Sequence, residues 1–329
     1  MISKFWTSLL FAAHLLCGLE PQPARAASLK LGTSNIEFAT VAEGRHVLTN
    51  RDEFIHALSP FDRSARLKTD RTVSETEFLQ FIARSVLDWT PEEKQSVTSA
   101  LSALEKKLAP WHLPFPPTIL LIKTSGLEEG GAAYTRQNAI ILPKKEAAPN
   151  ARGLEDKIAH ELFHVLSRHN PALREKLYGV IGFSRINEIV YPDSIRERRI
   201  TNPDGVQTGW RITVTNQNTT LSAVPILYAS AAHYDIAKGG AFFDYLEFKL
   251  LAVEFANGRW LPKNSAGGAQ LLDPKEVTGY MDQIGENTGY IIHPDEILAS
   301  NFVPLLNGAR NLPTPRILDA MERVLKTRQ

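Results

Sequence analysis

The sequence has one cysteine, Cys17, in 329 residues, and it falls in what reads as a removable leader. Without it the chain has neither a disulfide framework nor thiol chemistry. Charge of one sign is equally scarce. Lys and Arg number 37 against 36 Asp and Glu, a formal net charge of +1, which gives no electrostatic case for nucleic acid or another polyanion as partner. Glycine and proline, 20 of each, are near average and exclude collagen-like and low-complexity classes. Internal repeats and a Gly-x-Ser-x-Gly nucleophile elbow are missing, and no Lys-Ser/Thr follows Gly126 to Gly131 as a phosphate loop requires. What is present is a chain 43% hydrophobic, enough to bury a large core without bridges.

The opening residues have the layout of a secretory signal. Lys4 precedes an apolar stretch from Phe5 to Leu19, followed by Pro21, Pro23 and the small-x-small pattern Ala24-Arg25-Ala26. A signal peptide over 1–26 predicts a secreted or periplasmic protein with no stable membrane span after cleavage, since no later apolar run is long enough for one. Leu16 is too bulky for a lipoprotein cleavage site before Cys17.

Residues 27–110 read as a helical N-terminal part. Thr49 or Asn50 can cap a helix carrying Phe54, Ile55 and Leu58. Ser74 with Glu77 is a capping box before Phe78, Leu79, Ile82 and Val86. Thr90-Pro91 with Glu93 opens a helix through Val97, Leu101, Leu104 and Leu108. A proline-rich run, Pro110 to Pro117, ends this part. Residues 111–329 then form a catalytic part, and one compact domain including both is preferred, because nothing between them resembles a flexible linker. Thr118 to Ile122 and Ala133 to Leu142 read as strands, about Leu154 to Arg168 as a helix, and about Ile195 to Phe255 as β-rich. Helices opened by Asp273, His293 and Pro315 complete the chain.

The strongest chemical signal is His160-Glu161-Leu162-Phe163-His164. On a helix two residues four apart share a face, so both imidazoles can bind one metal ion while Glu161 reaches a metal-bound water. Imidazole suits Zn2+, and a catalytic zinc uses three protein ligands plus water. The motif and its strand–strand–helix setting, roughly residues 118 to 168, resemble the zincin metallopeptidases. The resemblance implies an α+β fold with a small mixed or antiparallel sheet packed on the metal-binding helix and helical parts at both ends. It implies Tyr134 to Leu142 as an edge strand that pairs with extended substrate, and a peptide or protein as that substrate.

The third ligand separates the subfamilies. Ser167 and Asn170 stand where metzincins have Gly and His, His169 is one residue out of register, and the aspzincin Gly-Thr-x-Asp signature is not found. Gluzincins take a Glu from a later helix, and Glu296 in His293-Pro294-Asp295-Glu296 fits that place; Asp295, His293 and Glu254 are its rivals. Ser300 and Asn301 stand near the position of the family's orienting Asp. Tyr290 and His293, with Tyr280 and His233 behind them, are candidates for the donor that steadies the oxyanion. The resulting expectation is a zinc-dependent peptide-bond hydrolase. The alternatives are a catalytically silent zinc-binding envelope protein and a metal-dependent amidase acting on a non-peptide or cell-wall substrate.

Overall fold

Thr118–Thr124, β-branched and apolar, becomes the centre of a mixed sheet. The computed structural model describes residues 29–149, 151–266 and 268–327; the expected signal peptide over 1–26, with Cys17, lies outside them. Across this sheet the strands run Leu29–Leu31, Ser34–Phe38, Thr118–Thr124, Ala139–Pro143 and Tyr134–Arg136, with Val86–Leu87 paired to the end of the central strand. The three inner strands are parallel, with Phe38 opposite Leu121 and Leu121 opposite Ile140. The outermost pairs on either side are antiparallel.

A second sheet is antiparallel, in the order Arg259–Pro262, Leu246–Ala256, Thr219–Ala229, Trp210–Asn216 and Ser184–Arg185, with Leu271–Leu272 added against Leu246–Ala256. The fold is α+β. The helix Leu154–His169, which carries the His-Glu motif, packs on strands Ala139–Pro143 and Tyr134–Arg136 and against the helices Pro91–Leu108 and Pro294–Leu306. One buried cluster joins Leu101, Leu121, Leu162, Ile212, Phe302 and Leu318, so both ends of the described chain share a core with the motif helix. Each fully buried side chain such as Ile158, Leu162 or Leu166 contributes about 1.5–3 kcal/mol. Among the described residues no helix is long and apolar enough to cross a membrane.

Four expectations need correction. Asp273 opens a turn, not a helix, and the helix that follows is only Tyr280–Ile284, starting after Gly279. The N-terminal part is not purely helical: it opens on two strands, Leu29–Leu31 and Ser34–Phe38, before the helices Val41–Leu48, Glu53–Ala57, Pro60–Arg66, Glu75–Ser85 and Pro91–Leu108. In Ser34–Phe38 the alternation of Ile36 and Phe38 with polar residues is too short to stand out. The cap of Glu53–Ala57 is Asp52 rather than Thr49 or Asn50, its carboxylate accepting from the amides of Phe54 and Ile55. The stretch Tyr134 to Leu142 is a hairpin instead of one strand. Gln137 adopts a left-handed φ of 53° and turns the chain, leaving Tyr134–Arg136 as the edge strand.

Candidate metal centre

The motif helix carries Glu155 and Asp156 in its first turn and Arg168 and His169 in its last, charges that complement its dipole. From Ala159 to Ser167 only His160 escapes burial; its side chain is 21% exposed. The His160 and His164 rings lie 4.8 Å apart between centroids, which is what a four-residue spacing on a helix produces. Facing them is the first turn of Pro294–Leu306, where Pro294 stands in the first turn and Asp295 and Glu296 follow, both buried. Glu296 Oε2 lies 3.0 Å from His160 Nε2 and 3.4 Å from His164 Nε2. One ligand atom from each of His160, His164 and Glu296 thus falls within 4.8 Å of the others. The His164 Nε2 contact lacks hydrogen-bond geometry, so this buried nitrogen, like Glu161 Oε2 beside it, has no hydrogen-bond partner. Two orphaned buried polar atoms facing one point fit a cation there.

The opposite nitrogen of His164 explains why Nε2 is free. His164 Nδ1 donates to Asp295 Oδ2 at 2.6 Å, which fixes the tautomer with a lone pair on Nε2. Asp295 Oδ1 in turn accepts from the hydroxyls of Ser167, at 2.5 Å, and Tyr178, at 2.7 Å. Asp295 is therefore the residue that orients the histidine, and neither Ser300 nor Asn301 is. Asn301 is committed elsewhere, donating to the Ile297 carbonyl and accepting from Asn287. Residues 295 and 296, adjacent on a helix, project about 100° apart and so reach the two different nitrogens of one ring. Asp295→Asn is expected to weaken metal binding at this centre about 10- to 100-fold, measured by chelator competition, because the imidazole loses its charged anchor.

Electrostatics concentrate at this point. Burial opposes a charge on His164, but Asp204, Glu296 and Asp295 outweigh it and push its pKa well up. Burial likewise opposes the Glu296 carboxylate, yet His164 and His160 hold it well below the usual range. Glu161 is pushed well up, first by burial and then by the Asp204 charge. The carboxylates thus favour positive charge among them, as a metal site requires.

Two groups near the centre were not visible in the sequence. The Asp204 side chain is 7% exposed, and one of its carboxylate oxygens lies within 4.8 Å of Glu161 and His164 ligand atoms. Asn202 Nδ2 donates to Glu296 Oε1 at 2.6 Å. Both belong to an irregular segment after Ile200 that crosses the edge strand.

The other candidates separate cleanly. Tyr290 lines a cleft of about 620 Å³ together with His160, Glu161, Asp204 and Glu296. Its side of the cleft is open enough to leave it 40% exposed. Burial and then the nearby carboxylates, Glu296 first, push its phenol well up, so it remains a donor. His293 does not face the cleft. It caps the helix Pro294–Leu306, Nδ1 accepting from the Asp295 amide at 3.1 Å and Nε2 donating to the Gln207 carbonyl at 3.3 Å. Gly205 presses on its ring so closely that a Cβ there would come within 2.5 Å. With both nitrogens committed, His293 is a structural cap rather than an oxyanion donor. Tyr280 is buried with its hydroxyl on the Ile291 carbonyl; His233 is exposed; Glu254 is exposed on the strand Leu246–Ala256 opposite Leu261.

Comparison of the chain with protein-family models, with curated proteins and with solved structures finds no match.

Proposed function

We propose that this chain is an exported zinc-dependent peptide-bond hydrolase of the zincin kind, gluzincin-like in its ligand set, with His160, His164 and Glu296 as the residues that hold the metal. The observation that carries the reading is the convergence of these three ligand atoms beside the unpartnered Glu161 Oε2. Two histidines and a glutamate are a zinc ligand set. A bound Zn2+ would supply a Lewis acid for the scissile carbonyl and lower the pKa of a water. Glu161 takes the proton from the attacking water and passes it to the leaving amine. Tyr290, protonated and lining the cleft, donates to the developing oxyanion. Asp295 keeps His164 in the binding tautomer. It also fills the orienting role that position 300 leaves open, which removes the main hint of a silent zinc protein.

The test is metal analysis of the purified protein and of Glu296→Ala, with cleavage of an unbiased peptide library. The expected result is zinc in the parent, loss of most of it in the variant, and cleavage only by the parent. Full zinc occupancy in Glu296→Ala would return the third ligand to the rivals. Bound zinc with no peptide cleaved would reject the hydrolase.

A further inference from the structure

An extended substrate joins a sheet through the outward backbone groups of its edge strand. Here the edge strand is Tyr134–Arg136, and its outward amide, that of Thr135, is already taken. Asp204 Oδ1 accepts from Thr135 N at 2.8 Å and from Thr135 Oγ1 at 2.6 Å. The segment holding Asp204 is fastened along the same edge. Arg168 donates to the Pro203 carbonyl at 3.0 Å and to Thr135 Oγ1 at 2.7 Å, and Asn202 holds Glu296. The Asp204 carboxylate thus sits between the substrate-pairing edge and the metal centre, within 4.8 Å of the His164 and Glu161 ligand atoms. Glu161 Oε2 and His164 Nε2, both buried and unpartnered, are part of the same cluster.

From this geometry we infer that Asp204 is a further ligand of the metal, supplied by a segment that occupies the substrate's place, so that the chain as folded is a latent form. This rests on the reading of His160, His164 and Glu296 as the primary ligands. Residues 201–205 must leave the edge strand before a peptide can pair with Thr135, and their departure removes one ligand and opens a coordination position at the same time. Latency and substrate access are then two states of one segment. Asp204 is neutralised or displaced in the competent state and engaged in the latent one.

The experiment compares the full chain with Asp204→Asn, which keeps an oxygen for the Thr135 amide but loses the anionic ligand. Each is stripped of metal and loaded with Co2+ for visible absorption, titrated with acetohydroxamate, and separately assayed for Zn2+ affinity by chelator competition. The inference expects a changed Co2+ spectrum, zinc affinity about tenfold weaker and acetohydroxamate binding about tenfold tighter. Arg168→Ala keeps every proposed ligand and removes the segment's tether at Pro203, together with the Arg168 bonds to Thr135 Oγ1 and the Gln137 carbonyl. It should shift acetohydroxamate binding in the same direction by a smaller factor, and it carries the test if Asp204→Asn does not fold. An unchanged spectrum with unchanged zinc affinity in a folded Asp204→Asn overturns the inference and leaves the three-ligand centre standing. Failure of the parent chain to take up Co2+ or Zn2+ would overturn the centre itself.

Discussion

Glu161→Gln should retain the parent's zinc content and lose about 10²- to 10⁴-fold in peptide turnover, the range for removing a general base. Gln matches Glu in shape, so the cleft between His160 and Tyr290 is preserved, while the side chain can no longer accept a proton. Glu161 is set apart from the proposed primary ligands: its Oε2 is buried without a hydrogen-bond partner, whereas Glu296 closes on both histidines. Metal content by elemental analysis and initial rates on a cleaved library peptide decide the matter together. Turnover equal to the parent at full zinc would remove Glu161 from the chemistry. Loss of zinc along with turnover would instead make it a ligand.

A comparable loss in stability is expected at the wall of the cleft. Arg66 is fully buried and forms ion pairs with Asp62, at 2.5 Å, and Glu129, at 2.8 Å. It also donates to the Thr201 carbonyl and lies over the Phe242 ring at 4.2 Å. Burial pushes the Glu129 carboxyl up, to about 7, against the pull of the Arg66 charge. Arg66→Met fills similar space and strands two buried carboxylates, at a cost of about 3–5 kcal/mol read from the denaturant midpoint. Glu129, Thr201 and Phe242 also line the cleft, so residual folded variant should show weaker peptide binding. An unfolding midpoint equal to the parent's would mean that the charges find new partners or water.

The legible part of the site follows from local spacing. His160, Glu161 and His164 are readable because the helix repeat alone places them, and Glu296 because the gluzincin resemblance asks for a Glu on a later helix, which Pro294 opens. In the sequence Asp295 reads as a rival ligand. Its actual place depends on how two helices face each other, since neighbours on one helix turn reach opposite sides of the same imidazole. Asp204, Asn202 and Arg168 were not legible as a group. Asp204 and Asn202 lie in a segment without periodicity, and Arg168 looks like a dipole-compensating charge at a helix end. Arg66 has the same disguise: four residues after Asp62 on a short helix, it reads as a surface pair until packing buries it. The helices opened by Ser74, Thr90, Pro294 and Pro315 were readable from caps and prolines, whereas the hairpin at Gln137 has no glycine to announce its turn.

The strand Ser34–Phe38 runs beside Thr118–Thr124, with the Asn35 amide on the Pro117 carbonyl at 2.9 Å. It is a fixed member of the sheet on which the motif helix rests. Proteolytic trimming anywhere in residues 39–110 would therefore strip that strand along with the helices and bare one side of the central strand. Under the proposed function, removing the helical region would cost the motif helix part of its supporting sheet, so a switch between resting and working states is expected to operate within the uncut chain.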